Sequence, residues 1–361
     1  MTTSIADTPA LDKTFVLTSE VSSIYAHTDA EALDVSLSCL GVTFFSTSLY
    51  AYNGVVELFD AGSLIEYHFL TNGLICESVT IKFGSVSKTV IFQHCENLMP
   101  ASYDPQKSLL LSSLTHRAHR DSLFTFAALP IAPHSQFLFK VVGHDESGRI
   151  ASTYFYSSVN IVDTLHASFS VASVINKATG RRVPEFNLPL QAPSLADVMY
   201  FSVEHDERQL MCFISPAEPY LTFRFLNIFN IPEFIDIEGS MVTKSETSQQ
   251  EAVCSGLISK YDRSTFRSYQ FTSAPLHPDE EESLAQFLSS SSVQIRVSGT
   301  LYDIVIDDYT FESSSDDDSL NSVKFSWRFK NNRPVIFNSS IFGISPSARK
   351  IFSTQYSPEY E

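Results

Sequence analysis

Tryptophan is nearly missing from this chain of 361 residues, which holds one Trp and five Met against 29 Phe and 15 Tyr. Glycine is scarce too, at 12, which excludes a glycine-looped nucleotide fold and a fibrous glycine repeat. The five cysteines (Cys39, Cys76, Cys95, Cys212, Cys254) are odd in number and scattered. None stands in C-x-x-C spacing, so no zinc knuckle or thioredoxin-type motif exists and buried, reduced thiols are expected. Positive charge is short: 24 Lys and Arg face 41 Asp and Glu, for a net charge of −17. Such a surface repels phosphate backbones, so a nucleic-acid partner is not expected. No uncharged apolar run reaches the roughly 18 residues of a membrane helix, and Leu221–Ile237 is broken by Arg224, Pro232, Glu233 and Asp236. The first residues, Met1–Asp7, lack a basic and then apolar export pattern, so synthesis in a cytoplasm and no membrane partner are expected.

Chemical motifs are missing as well. G-x-S-x-G, Walker A, G-x-G-x-x-G and H-E-x-x-H do not occur. His116 and His119 form H-x-x-H, but the interleaved Arg117 and Arg120 disfavour a cation, so a solvated loop is expected there. Asp303, Asp307, Asp308 and Asp316–Asp318 are the densest acids. They lack the EF-hand order and read as a hairpin, with calcium left open. His27, His94 and His166 lie in strand-like runs and are expected to be satisfied structural residues. Tyr50, Tyr52, Phe44 and Phe45 suit either a sugar-stacking platform or a strand core, and core is the expected role. No catalytic, cofactor-binding or metal-ligating residue is assigned, no cofactor or small-molecule ligand is expected, and the chain is expected not to be an enzyme.

What the sequence does hold is strand material. Phe, Tyr, Val, Ile, Ser and Thr dominate, as half-buried pleated strands require. Asn53-Gly54 separates two strand-like runs and demands a hairpin turn with positive φ at both positions. Further hairpins are expected around Gly84, around Gly143–Gly148 and around Ser298-Gly299. Leu64–Leu70 allows one short helix ended by Asn72-Gly73, and Asp279–Leu288 is a clear amphipathic helix with acids in its first turn. Val323, Phe325, Trp327 and Phe329 alternate with Lys324, Ser326, Arg328 and Lys330, the mark of an antiparallel strand with one wet face. The fold class is therefore all-β, with two or three antiparallel sandwich or barrel-like domains and one or two short helices. The expected division is an N-terminal arm over 1–12, a β domain over 13–100 and a second β region over 101–175. A Pro- and Gly-punctuated linker over 176–194, a β domain over 195–337 and a Ser-rich C-terminal arm over 338–361 follow.

In the last third, Phe223–Asn230, Gly239, Lys244, Tyr261-Asp262, the helix 279–288, Ile304–Asp308 and Val323–Phe329 follow one another in an order, preceded by Gly54–Glu66, that resembles the structural tail proteins of tailed bacteriophages and prophages of gut bacteria. It is similar to their distal-tail or baseplate-type subunits. The resemblance implies a non-catalytic β-sandwich subunit that forms a ring in the virion tail, with copies of itself and other tail proteins as partners. Leu226, Asn227, Ile228, Phe229 and Asn230, with the C-terminal arm, are the expected assembly contacts. The alternative reading is a carbohydrate-binding, adhesive β-sandwich module recognising a bacterial surface glycan.

Overall fold

The computed structural model describes the chain apart from residues 1, 7, 8, 14, 98–114, 120–122, 128–134, 146, 160–165, 171, 172, 176–181, 185–196, 206, 207, 216–219, 255, 256, 278, 279, 313–320 and 332–361. The described residues are all-β, with two α-helices among them. The chain starts with β1 (Thr3–Ile5), β2 (Phe15–Leu17), β3 (Ser23–Thr28), β4 (Ala32–Cys39), β5 (Val42–Tyr50), β6 (Val55–Phe59), α1 (Ala61–Asn72), β7 (Cys76–Phe83) and β8 (Val86–Gln93). The middle holds β9 (Thr115–Ala118), β10 (Leu123–Ala127), β11 (Ser135–His144), β12 (Ile150–Val159), β13 (His166–Ser170), β14 (Ser173–Ile175), β15 (Arg182–Pro184), β16 (Asp197–His205) and β17 (Arg208–Ile214). The last part is β18 (Tyr220–Leu226), β19 (Pro232–Cys254), β20 (Leu257–Ser273), α2 (Glu281–Ser289), β21 (Val293–Val297), β22 (Thr300–Glu312) and β23 (Ser322–Phe329).

The N-terminal unit packs a three-stranded sheet, β1-β3-β6, and a five-stranded sheet, β2-β8-β7-β4-β5, around one apolar core. Alternation does the sorting. Ile24 and Ala26, Val35 and Leu37, and Val79 and Ile81 point inward, where Ile65 and Phe69 of α1 meet them. The Asn53-Gly54 turn forms as expected, with φ of 52° and 77° and a Tyr52–Val55 bridge. Past that bridge the two strands separate, β5 to pair with β4 and β6 to pair with β3. The helix is longer than expected and begins directly after Asp60, which takes a left-handed φ of 56°. Gly62 permits this, because a Cβ there would lie 2.2 Å from the Thr18 carbonyl oxygen and 2.3 Å from that of Val21.

The middle region is a five-stranded sheet, β12-β11-β16-β17-β9, in which β9 lies parallel to β17. Here the expected boundary at 195 shifts. β16 pairs with β11 and β17 with β16, so both belong to the middle sheet, and the C-terminal unit begins at β18. Pairing across such sequence distance leaves no local mark in the residues themselves. Within the expected linker, the described part is the strand Arg182–Pro184 on β14. The C-terminal arm and the Asp316–Asp318 tip lie outside the described residues.

The C-terminal unit is a closed six-stranded barrel, β18-β19-β20-β23-β22-β21. Closure removes its sheet edges. The expected hairpin turn at Ser298-Gly299 joins β21 to β22, with φ of 50° and 83°. The barrel core takes α2 as a plug: Leu284, Phe287 and Leu288 are buried, and Phe287 meets Phe223 at 4.9 Å and Phe325 at 5.6 Å between ring centroids. Trp327 is fully buried and stacks on Tyr269 at 4.3 Å.

Candidate functional site

A polar cluster sits where the middle sheet meets the barrel. Its elements come from three distant stretches: β9 and the residue after it, the paired strands β18 and β19, and the start of α2. Arg117 forks onto Glu280, donating from Nε at 3.0 Å and from Nη2 at 2.7 Å, while its Nη1 donates to Glu238 at 3.1 Å. Next to it, His119 is 2% exposed and stacks on Tyr220 at 3.6 Å. Its Nδ1 stands 3.2 Å from Asp236 and its Nε2 3.1 Å from Glu238. Both contacts are donated hydrogen bonds only in the imidazolium form. Thr222 donates to the other Asp236 oxygen at 2.6 Å.

These groups saturate one another. Burial lowers the Arg117 pKa, but Glu280 and then Glu238 outweigh it, so the guanidinium is held above its ordinary value. Cys212 on β17 is fully buried nearby, and burial with Asp236 and Glu280 pushes its thiol well up. A shallow depression opens beside the cluster, lined by Thr115, Arg117, Glu238, Glu280, Ser283 and Leu284. Its charged members already face each other, so the arrangement clamps two units together instead of offering a free acid or base. Among the described residues no group of three His, Cys, Asp or Glu is arranged to hold a metal ion.

The cluster overturns one sequence expectation. Thr115–His119 is no solvated loop: Thr115–Ala118 is a strand, Arg117 is half-buried in ion pairs and His119 is buried. The carboxylates that accept them lie more than a hundred positions further on, so a basic run reads as exposed until its partners are placed.

The expected assembly contacts occupy a tight turn between β18 and β19. Asn227, Phe229 and Asn230 are buried, while Leu226 and Ile228 are half-buried. The Asn227 side chain organises the turn. Its Oδ1 accepts from the Phe229 N–H at 2.9 Å and the Ile231 N–H at 3.0 Å, and its Nδ2 donates to buried Glu233 at 2.7 Å. The turn docks on the N-terminal unit of the same chain. The Glu96 N–H donates to the Ile228 carbonyl at 3.0 Å, and the Asn230 amide donates to the Leu74 carbonyl at 3.0 Å. Beside it His94 is fully buried, and neither ring nitrogen meets a partner at hydrogen-bonding geometry among the described residues, the Ile228 backbone being the polar group next to it. The described members of this segment are engaged inside the chain.

Exposed apolar side chains gather elsewhere, on the N-terminal unit. Tyr50 is 79% exposed, Tyr52 81%, Phe59 75% and Tyr67 72%. Phe44 and Phe45 pack against the core, and Phe44 stacks on His68 at 4.1 Å. The expected core role therefore holds for the two phenylalanines and fails for the two tyrosines, which β5 and its turn hold outward. β5 is also the edge of its sheet, and Val42–Tyr50 contains no charge, no proline and no glycine. Among the described residues no strand pairs with its outer side.

No protein family model matches the sequence, and no curated protein matches it. Among solved structures, a chain from the tail of an empty GTA particle, obtained by helical refinement with C6 symmetry, is similar at a TM-score of 0.23 and 12% identity, over 33% of this chain and 96% of that one.

Proposed function

We propose that the chain is a non-catalytic structural subunit of a phage tail or baseplate-type assembly, acting through protein–protein contacts and closing into a ring with copies of itself. One observation carries the assembly part: the uncharged edge strand β5. Proteins that stay monomeric blunt long edges with charge, proline or a covering element. A nine-residue edge that no strand among the described residues covers, in a chain of charge −17, suits pairing with another chain. The tail assignment itself is supported by the short blocks from Gly54 to Phe329 that resemble tail proteins.

The test is light scattering coupled to size exclusion, with negative-stain images of the peak. Wild type is expected to form a discrete closed oligomer. Lysines at the exposed Ser46 and Ser48 are expected to leave monomers with unchanged circular dichroism. Oligomers that ignore these substitutions would remove β5 from the interface. A wild-type monomer that pairs with no tail protein would end the assembly reading.

The outward Tyr50 and Tyr52 also favour a second reading, glycan binding by stacking on sugar faces. A glycan array separates the two: a hit lost in Tyr50→Ser and Tyr52→Ser would favour adhesion.

A further inference from the structure

The outer face of β1-β3-β6 combines features that the rest of the fold does not use. Register places Tyr25 opposite Glu57, His27 opposite Val55 and Tyr52 opposite Val55, so these side chains share one face with Phe59 two residues on from Glu57. Tyr25 is 40% exposed, and Tyr52 and Phe59 stand out almost fully. This is a rigid aromatic surface on a sheet that is held from behind by Ile24, Ala26, Val56 and Leu58.

Charge selects what fits it. Residues 1–97 hold eleven acids against three lysines and no arginine. Two of those lysines are spent, Lys13 on Glu20 and Lys88 on Asp12. Glu57 and Asp60 are exposed on and next to the aromatic face, and Asp29, held below its usual value by hydrogen bonds from Thr2, lies at its other end. Aromatic rings flanked by carboxylates attract guanidinium groups twice over, through the ring face and through bidentate hydrogen bonds to Glu57. An acidic or neutral partner gains neither.

We propose that this face docks an arginine-rich segment of another protein. The inference adds to the assembly reading a heterologous partner, bound on a different surface from the β5 edge. Exposed aromatics supply the anchors, as at other protein interfaces. The acids supply steering and the preference for positive charge.

The test uses the full chain and three labelled decapeptides, alternating Arg-Gly, Lys-Gly and Glu-Gly, with fluorescence anisotropy at low and high salt. Arg-Gly is expected to bind, more tightly than Lys-Gly and more weakly as salt rises, and Glu-Gly not at all. Tyr52→Ser and Phe59→Ser are each expected to weaken Arg-Gly binding by about fivefold, and Glu57→Lys by about tenfold. All three side chains are solvent-facing, so folding should be retained, with Tyr309→Ser on the barrel as a control that changes nothing. Equal binding by wild type and all variants would mean that general acidity attracts the peptide and would overturn the proposal. So would no binding. Variants that alter oligomer mass but not peptide binding would assign the face to a second copy. Self-association of the wild type, read by light scattering, is scored separately, so either claim can fail without the other.

Discussion

Arg117 and Glu280 form a two-pronged ion pair between the middle sheet and the helix that plugs the barrel, at 3.0 and 2.7 Å. Glu280 is 7% exposed at its side chain and Arg117 22%. Removing the cation leaves Glu280 and Glu238 buried side by side with no guanidinium. Arg117→Ala is therefore expected to cost about 3 kcal/mol, the low end for a broken buried pair because Arg117 keeps some solvent. Urea denaturation followed by circular dichroism measures it. Arg117→Met with Glu280→Gln together should recover part of that loss, since no buried charge is then stranded at position 280. A single-variant cost below about 0.5 kcal/mol would show that the pair is a surface contact in solution.

Gly62 is the second sensitive point. A methyl group there meets the Thr18 and Val21 carbonyl oxygens at 2.2 and 2.3 Å, and both are backbone atoms that cannot swing aside. Gly62→Ala is expected to destabilise by about 3 kcal/mol through overpacking, despite the better helix propensity of alanine. Trp327, alone of its kind and buried in the barrel, reports on the other unit. Thermal melts should show the far-ultraviolet signal lost earlier while the Trp327 emission holds to higher temperature. Coincident, unshifted transitions would refute the clash.

These two positions mark how far the sequence was readable. Strand alternation such as Val323 to Phe329, turns such as Asn53-Gly54 and the helix before Ser289 are set by neighbours in the chain, and each appears where local chemistry puts it. The Arg117 cluster is set by carboxylates at 236, 238 and 280, and no local rule connects them. The outward Tyr50 and Tyr52 were illegible for a related reason. Which face of β5 is wet depends on β4 alongside it and on α1 behind it. Asn227 could be read as polar, but its inward role depends on a β-turn that the N-terminal unit covers.

Asn227 itself supports a graded prediction. Its side chain satisfies two buried backbone N–H groups and donates to Glu233. Asn227→Ala strands those groups and is expected to cost about 3 kcal/mol. Asn227→Asp keeps the acceptor but sets a second carboxylate against Glu233, so it should restore less than half of the loss at neutral pH. Chemical denaturation of both variants decides it, and an aspartate variant as stable as wild type would show that Glu233 is not the donor's target.

His94 makes the stability of the docked turn depend on acid. Burial disfavours the imidazolium and holds the His94 pKa below 6.5, with the Ile228 backbone opposing the shift. In the unfolded chain the ring returns to its ordinary value and takes up a proton that the folded chain refuses. Stability present above pH 6.5 is therefore lost as pH falls through 6.5 towards the folded pKa. Two neighbouring carboxyls act the other way. Burial raises Glu96, and burial with Glu96 and Asp60 raises Glu66, so both bind protons more readily when folded and return some stability as pH approaches 4.5. The melting temperature of the wild type is expected to drop below pH 6.5 and then level off. His94→Leu removes the first effect and keeps the second. The difference in melting temperature between variant and wild type should move in the variant's favour from pH 7 down to about pH 5. A difference that stays constant over that range would mean the ring is already solvated when the chain is folded.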